Sequence, residues 1–318
     1  MHPMLALLAT ITLIAPLASA WAHTREETTA YLTSSSLQCG DGGCPEALVW
    51  VLSPQMNPDG SFYPSVCTGT LISPDTVLTN AHCLPADMAT AGASCQGKMS
   101  FLFGGTAHEA AFSAACDHVA AVSGPRVEGA YAMDFALLKL TAPVPRTPLP
   151  MGATLPLDDA TLEAQVIDPP LCIHFTPLDD GCPLVGTYRT GTGEFTERTL
   201  GLPFLFSQAA SVVSFAGFPI VRGNSGAPLL SGGALVAIVQ ERRNLAEIAA
   251  TPITGRFTFS GLATSVACIA DPTRASCATV NLADPAVIRT AMESMAAVAY
   301  DSTGSFTENI LGRPAPAP

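Results

Sequence analysis

The stretch CTGTLISPDTVLTNAHC, from Cys67 to Cys83, decides the fold of this chain. Two short runs of β-branched and apolar residues, 69–72 and 76–79, are separated by the turn sequence Ser-Pro-Asp. Such runs, bounded by turn residues, predict two β-strands. His82 lies three residues after the end of the second strand, so the strand fixes the place of an imidazole that can act as a general base.

Two further segments each add one reactive side chain to this pattern. DFALLKL begins at Asp134, and the apolar run after it predicts a buried strand that shields the carboxylate. GNSGAP places Ser225 between two glycines, whose lack of a Cβ lets the backbone turn tightly and approach a substrate. Because a serine hydroxyl becomes a nucleophile only when a base takes its proton and a carboxylate orients that base, Ser225, His82 and Asp134 are the predicted catalytic residues. The N–H groups of Gly223 and Ser225 form the predicted oxyanion hole.

These three segments resemble those of the chymotrypsin/trypsin-like family of serine endopeptidases, in particular its secreted bacterial members. The order of His82, Asp134 and Ser225 in the chain is the order of that family, whereas subtilisin-like and α/β-hydrolase enzymes use other orders. The resemblance extends over residues 45 to 270. It implies an all-β fold of two antiparallel six-stranded β-barrels with the site in the cleft between them. It also implies a disulfide between Cys67 and Cys83.

Short strand-like stretches separated by turn residues predict an all-β class in their own right. The predicted first barrel, residues 46–148, contains His82 and Asp134, and the predicted second barrel, residues 149–280, contains Ser225. The predicted strands are 47–52, 69–72, 76–79, 99–103 and 135–140 in the first barrel, and 165–167, 171–175, 211–215, 227–230 and 234–239 in the second.

The two ends of the chain are expected to lie outside the barrels. Residues 1–20 have an apolar core followed by Ala-Ser-Ala, the pattern of a secretory signal peptide, with a membrane anchor as the alternative. Residues 21–45 are then either a structural lead-in or a short propeptide. Residues 281–318 are predicted to form a helix over 285–299, packed on the second barrel, and a disordered tail.

Composition narrows the class of protein further. With a net charge of -12 and a pI near 4.8, the chain lacks the basic surface of a nucleic-acid-binding protein. Its 10 cysteines are typical of an oxidising compartment, and no Cys-x-x-Cys units or histidine clusters favour a metal site. Pairing of sequence neighbours predicts five disulfides, Cys39–Cys44, Cys67–Cys83, Cys95–Cys116, Cys172–Cys182 and Cys268–Cys277, although spacing alone does not fix the connectivity.

The expected protein is therefore secreted, either extracellular or periplasmic, and monomeric. We expect protein or peptide substrates, no cofactor, no nucleic-acid partner and no membrane association after removal of the signal peptide. A catalytically inactive, protease-like binding protein is the alternative from a different functional class. An esterase that uses the same three residues is a third possibility.

One departure from the family pattern concerns activation. Asn224 stands where many members have an aspartate before the serine, whose carboxylate pairs with an N-terminal ammonium created by cleavage of a zymogen. An asparagine cannot supply that charge, and no IVGG-like start precedes His82. We therefore predict that the chain has no trypsin-style N-terminal insertion.

A second departure concerns the substrate-binding edge. Residues 217–220 contain no acid to receive Lys or Arg, and residues 237–240 contain no histidine of the kind found in glutamyl endopeptidases. The sequence Gln-Glu-Arg at 240–242 replaces the usual Ser-aromatic-Gly pattern. An apolar or small residue is the predicted substrate preference.

The remaining histidines with no family context are predicted to be structural or surface residues. They are His108, His118 and His174. Asp117 beside His118 is not expected to be part of a catalytic triad, because adjacent residues seldom present their side chains to each other.

Overall fold

The chain forms two β-rich units preceded by one helix. The computed structural model describes residues 23–123, 130–131, 134–152, 161–174, 181–195, 212–216, 220–241, 261–266, 269 and 280–281. The helix is α1 (Arg25–Thr33), and short 3-10 helices cover Ala81–Cys83, Ala86–Met88 and Leu171–His174. The strands are β1 (Ser36–Gln38), β2 (Leu48–Met56), β3 (Phe62–Ser73), β4 (Thr76–Thr79), β5 (Ser100–Phe103), β6 (Phe112–Val122), β7 (Ala130–Tyr131), β8 (Ala136–Leu140), β9 (Thr161–Asp168), β10 (Val185–Phe195), β11 (Val212–Ala216), β12 (Pro228–Ser231), β13 (Ala234–Glu241), β14 (Gly261–Ser265) and β15 (Val280–Asn281).

Six strands close into a barrel in the order β2-β3-β4-β8-β6-β5, which confirms the predicted first barrel. Its long hairpin pairs β2 with β3, from Leu48 opposite Thr70 to Met56 opposite Phe62. Phe101 and Leu138 are fully buried in its interior, at 0% exposure. Barrel closure leaves no free edge among these strands and holds the two strand ends that carry His82 and Asp134 side by side.

Strand β2 is buried on both of its faces. Val49 and Val51 belong to the interior of the barrel, whereas Trp50 belongs to a second buried cluster with Leu32 of α1 and Ile167 of β9. Successive side chains of a strand point to opposite faces, so a run of apolar residues without alternation is what a doubly covered strand requires. The cluster around Trp50 therefore joins the outside of the barrel to the helix and the second sheet.

The second unit is a seven-stranded sheet in the order β1-β10-β11-β14-β13-β12-β9. An additional pairing joins β9 to β10, from Asp168 opposite Thr187 to Thr161 opposite Glu194. Fully buried apolar side chains such as Leu162 form its core. A separate two-stranded pairing joins β15 to β7.

The segment before the first barrel is an integral part of this fold. Helix α1 begins with a capping box, in which Thr24 and Glu27 each accept a hydrogen bond from the backbone of the other. Leu32 packs against the outer face of β2, and the Tyr31 hydroxyl donates to the Cys182 carbonyl oxygen at 2.9 Å. Strand β1 then pairs in parallel with the start of β10. The segment is thus hydrogen-bonded to the second sheet and packed on the first barrel.

Four of the five predicted disulfides are formed. They are Cys39–Cys44, Cys67–Cys83, Cys95–Cys116 and Cys172–Cys182. The predicted pair Cys268–Cys277 lies outside the described residues, as do the predicted signal sequence and the helix over 285–299. Within the described part of the chain, no helix is both long and apolar enough to span a membrane.

The predicted strand over 171–175 is wrong, because residues 171–174 form a 3-10 helix. Pro169 and Pro170 precede it, and a proline lacks the N–H that a sheet ladder needs. The Ile173 N–H instead donates to the Pro170 carbonyl oxygen at 3.1 Å, which closes a turn. The disulfide from Cys172 to Cys182 also closes this segment into a short loop.

The docking of α1 predicts a measurable stability effect for the Tyr31 hydroxyl. Tyr31→Phe removes the hydrogen bond to Cys182, and a typical bond of this kind contributes about 1 kcal/mol to the free energy of unfolding. We expect a melting temperature lower by about 1–2 °C, because the entropy of unfolding grows with chain length, measured by calorimetry. The control is Tyr63→Phe, since Tyr63 is 45% exposed, and an equal effect of both substitutions would contradict the docking.

Candidate active site

The barrel brings His82 and Asp134 into direct contact. Strands β4 and β8 pair with Thr79 opposite Ala136, so the end of β4 and the beginning of β8 lie together. His82 follows β4 in a 3-10 helix, and Asp134 lies two residues before β8. The Asp134 Oδ2 atom lies 2.5 Å from the His82 Nδ1 atom, and the His82 backbone N–H donates to Oδ1 at 3.1 Å. Both carboxylate oxygens therefore orient the same histidine.

The two side chains differ in their access to solvent. The His82 side chain is 36% exposed, whereas the Asp134 side chain is 10% exposed. A buried carboxylate beside the Nδ1 atom fixes the ring and stabilises the imidazolium form. This arrangement leaves the Nε2 atom of His82 as the nitrogen that can serve a substrate or a nucleophile.

Asn80 supports this pair and was not among the sequence predictions. It is fully buried, and its Nδ2 atom donates to the Asp134 carbonyl oxygen at 2.5 Å. The bond joins the end of β4 to the residue that carries the carboxylate. The sequence did offer a signal for Asn80, since it is a polar residue directly after a strand predicted to be buried. A buried polar side chain usually has a hydrogen-bond partner, so a structural role could have been expected for it.

A disulfide and two side chains hold the residue next to His82. Cys83 is bonded to Cys67 of β3, and its carbonyl oxygen accepts from Ser53 Oγ at 3.3 Å and Gln55 Nε2 at 3.2 Å. Candidate metal-ligand atoms of Cys67, His82 and Cys83 lie within 4.8 Å of one another. Both sulfur atoms are consumed by the disulfide, however, and metal binding requires thiolates. This group is therefore a covalent support for the base.

The loop that carries Ser225 is bound to the same strand, β3. The Thr68 N–H donates to the Ser225 carbonyl oxygen at 2.8 Å, and the Thr68 hydroxyl donates to the Gly223 carbonyl oxygen at 3.0 Å. Thr68 directly follows Cys67, whose disulfide partner directly follows His82. Two adjacent residues of β3 thus hold the histidine segment and the serine loop next to each other.

Two glycines make this docking sterically possible. Gly223 has φ of +94° and Gly226 has φ of +83°, a region that residues with a Cβ rarely adopt. A Cβ at Gly226 would lie 2.1 Å from the Thr68 carbonyl oxygen and 2.4 Å from the Thr79 Oγ1 atom. A Cβ at Gly223 would lie 2.8 Å from the ring of Pro169. Both positions therefore exclude larger residues.

The hydrogen bonds of the serine loop single out two N–H groups. Those of Asn224, Gly226 and Ala227 donate to backbone carbonyl oxygens at 3.2, 2.7 and 3.0 Å. Those of Gly223 and Ser225 donate to no acceptor among the described residues. Backbone N–H groups are obligatory donors, so two that are left open in one turn are suited to bind an oxyanion. They belong to the two residues that the sequence predicted for this role.

The loop that carries Ser225 is docked on β3, and the Ser225 hydroxyl forms no hydrogen bond with His82 among the described residues. Ser225 is partly exposed, and in the described part of the chain its hydroxyl makes no hydrogen bond with the His82 ring. Such a bond often tightens only when a substrate occupies the site. The described geometry therefore includes the oriented base and the two open N–H groups.

Asn224 is the buried centre of the serine loop. Its Oδ1 atom accepts from the Val221 N–H at 2.8 Å, and its Nδ2 atom donates to the Ile167 carbonyl oxygen and the Asp168 Oδ1 atom, each at 3.0 Å. Its relative exposure is 0%. The amide thus has three hydrogen-bond partners within the chain.

Asp117 and His118 form a pair at the surface, so the expectation that argued against a triad role for them, that adjacent side chains seldom meet, does not hold here. The Asp117 Oδ2 atom lies 2.9 Å from the His118 Nδ1 atom, and both side chains are exposed. The register of β6 against β8 shifts between Cys116 and His118, which identifies a β-bulge at Asp117. A bulge turns neighbouring side chains toward one side. The His118 ring and then Gln96 lower the pKa of the Asp117 carboxyl by hydrogen bonding.

The predicted substrate edge lies only partly within the described residues. Ile220 is the described member of the 217–220 stretch, and it is buried in the core of the second sheet. Gln240 is buried, and it follows Val239, whose backbone pairs with the serine loop through Gly226 and Ala227. The edge is thus continuous with the serine loop.

His108 is exposed, in keeping with a surface role.

Comparison with known proteins gives one family match. Residues 49–169 match the family model named Trypsin, a range that includes His82 and Asp134 but is less than half of the chain and ends before Ser225. No curated protein matches the sequence. This part of the chain is therefore trypsin-like, with the predicted base and its carboxylate inside the matched range.

Solved structures similar to this chain include two inactivated protease paralogues of the scabies mite. S-D1 is 12% identical over 71% of this chain and 90% of its own length, with a TM-score of 0.45. S-I1 is 16% identical over 71% of this chain and 91% of its own length, with a TM-score of 0.48.

The docking of the serine loop on Thr68 predicts the effect of a single methyl group. Gly226→Ala places a Cβ against the Thr68 carbonyl oxygen, so the loop must move away from β3. We expect the rate at which Ser225 reacts with a fluorophosphonate to fall by about 100-fold or more, the order of losing an oxyanion contact. Intact mass spectrometry against time measures this rate.

The matched control is Gly232→Ala. Gly232 also has a positive φ, of +57°, but a Cβ there meets nothing within 4 Å. It should lose stability of about 1–2 kcal/mol from backbone strain and keep its reaction rate. Equal reaction rates for the two variants would contradict the docked loop.

Proposed function

We propose that the protein is a secreted serine endopeptidase of the chymotrypsin/trypsin-like family, which cleaves peptide bonds through an acyl-enzyme intermediate on Ser225. The observation that carries this proposal is the double contact of Asp134 with His82, at the Nδ1 atom and at the backbone N–H. The contact fixes both the orientation and the tautomer of a base. Acyl transfer also requires donors that stabilise the oxyanion of the tetrahedral intermediate, and the two open N–H groups in the serine loop can supply them.

In the first half of the reaction, the Ser225 Oγ atom attacks the carbonyl carbon of the scissile bond. His82 takes the hydroxyl proton on Nε2, and Asp134 stabilises the resulting imidazolium. The negative oxygen of the tetrahedral intermediate accepts hydrogen bonds from the N–H groups of Gly223 and Ser225. The C–N bond then breaks, and His82 returns its proton to the leaving amine. Ser225 is left as an ester of the new carboxyl end.

In the second half, water replaces the amine. His82 takes a proton from the water as its oxygen attacks the ester carbonyl. The second tetrahedral intermediate uses the same two N–H groups. Its collapse breaks the bond to Ser225, which recovers its proton from His82, and releases the carboxylic acid. The protein's own residues therefore account for every proton transfer.

We also propose that the second sheet is the second six-stranded barrel of this fold, followed by a C-terminal helix over 285–299. The additional pairing of β9 with β10 supports closure of the ring β9-β12-β13-β14-β11-β10. Strand β1 then lies outside the ring, on β10. We further propose that residues 23–44 are a retained structural lead-in, since α1 and β1 contact both units.

Secretion is part of the proposal. Four disulfides form within the described residues, a density typical of proteins from oxidising compartments. The N-terminal signal pattern agrees with this compartment. Substrates are then proteins or peptides met outside the cytoplasm or in the periplasm, and the enzyme acts as a monomer.

A protease-like binding protein without turnover is the second candidate. The observation in its favour is that the Ser225 hydroxyl makes no hydrogen bond with His82 in the described part of the chain. In such a protein the loop would keep its docking on Thr68, yet the hydroxyl would not be activated. The two candidates differ in the reactivity of one oxygen atom.

Covalent labelling decides between these candidates. A fluorophosphonate probe should add once to the purified protein, at Ser225, and Ser225→Ala should remain unlabelled. Asp134→Asn should keep the fold but misorient the base, and we expect labelling slower by about 10⁴-fold. The measurement is intact mass spectrometry with peptide mapping, beside circular dichroism to verify folding. A folded wild-type protein without an adduct would favour the binding protein.

A further inference from the structure

We propose that Asp168 and Arg189 are positioning residues that hold Asn224, and through it the oxyanion-hole backbone, in its working conformation. The inference rests on the proposed function, because it concerns the N–H groups of Gly223 and Ser225. It concerns a pair of side chains on the neighbouring strands β9 and β10.

The three side chains form a continuous network. Asp168 is the last residue of β9, and Arg189 lies on the neighbouring strand β10. The Arg189 Nε atom donates to Asp168 Oδ2 at 2.7 Å, and an NH2 group donates to Oδ1 at 3.1 Å. The same Oδ1 atom accepts from Asn224 Nδ2 at 3.0 Å. This two-point pairing holds the carboxylate in a single orientation toward Asn224.

The surroundings of Asn224 explain why an amide stands there. Its Nδ2 atom faces two acceptors, the Ile167 carbonyl oxygen and the Asp168 carboxylate. Only a donor satisfies both, and an aspartate would place a second carboxylate 3.0 Å from the first in a fully buried position. The carboxylate beside this amide belongs to Asp168, and Arg189 is paired with it.

The network acts on the oxyanion hole because of its place in the loop. Asn224 lies between the two residues with open N–H groups, and its Oδ1 atom also accepts from the Val221 N–H. Its side chain therefore ties the start of the turn, at Val221, to the end of β9. Tight positioning of these donors is what allows them to stabilise a transition state rather than the substrate.

The N-terminal segment supports the strand that carries Arg189. Strand β1 pairs with residues 185–187, and the last of these lies two positions before Arg189. Trp50 lies against this region, since a Cβ on Gly186 would come within 3.0 Å of its ring. The pair is thus built into the folded chain, and no cleavage is needed to assemble it.

An exchange of the two polar residues tests the network. Asn224→Asp should lower the maximal rate of fluorophosphonate inactivation of Ser225 by about 100-fold, comparable with loss of an oxyanion contact, and leave the probe's KI within about threefold. Asp168→Asn added to Asn224→Asp restores one amide and one carboxylate. Because the two residues are coupled, the maximal inactivation rate of the double variant should be at least about fivefold higher than that of Asn224→Asp alone.

The control is Asp75→Asn. Asp75 forms an ion pair of similar exposure with Lys139 at 2.8 Å, on the first barrel. Hydrogen bonds from Lys139, Ser73 and Thr76 lower the pKa of the Asp75 carboxyl to about 2. Asp75→Asn should leave the rate of fluorophosphonate inactivation of Ser225 unchanged. Melting curves exclude variants that fail to fold.

Hydrogen exchange separates a failure of this inference from a failure of the proposed function. If the wild-type protein is not labelled, the protease proposal fails, and the network is judged by exchange alone. The peptide spanning 221–227 should exchange faster in Asp168→Ala than in Asp75→Asn. Equal exchange of this peptide in the two variants would overturn the network. If the wild-type enzyme is labelled, the network is also overturned by an unchanged inactivation rate in Asn224→Asp, or by no recovery of that rate in the double variant.

Discussion

Two neighbouring residues of one strand hold the whole candidate site together. Cys67 is bonded to Cys83, next to His82, and Thr68 donates two hydrogen bonds to the loop of Ser225. Any movement of β3 would shift the base and the serine loop together, which preserves their spacing. The site therefore depends more on the rigidity of β3 than on the loops themselves. This strand is hydrogen-bonded to β2 on one side and to β4 on the other.

That rigidity comes from burial on both faces of the β2–β3 hairpin. The interior of the barrel covers one face of β2, and the cluster around Trp50 covers the other with residues from α1 and the second sheet. The N-terminal segment is therefore part of the interface that aligns the two units. In the proposed enzyme, the same segment supports Arg189 by pairing β1 with β10, so packing and the chemistry of the oxyanion hole share one element.

The features that the sequence predicted are local, and those it did not predict depend on distant partners. His82 and Asp134 could be placed because each lies at the end of a short apolar strand, and the barrel then brings them together. Helix α1 was missed because in REETTAYLT only Thr28 and Leu32 are buried, too few to give a helical pattern. Strand β10 was missed because glycines and threonines interrupt its apolar pattern. The contact of Asn224 with Asp168 joins residues 56 positions apart, so no neighbouring residue indicates it.

The most direct test of the account is a crystal structure of the protein after reaction with a small fluorophosphonate. The account predicts phosphorus bonded to the Ser225 Oγ atom, with one phosphoryl oxygen within hydrogen-bond distance of the N–H groups of Gly223 and Ser225. His82 should remain in contact with Asp134 and lie beside the modified oxygen. An adduct whose phosphoryl oxygen points away from both N–H groups, or crystals with an unmodified Ser225, would contradict it.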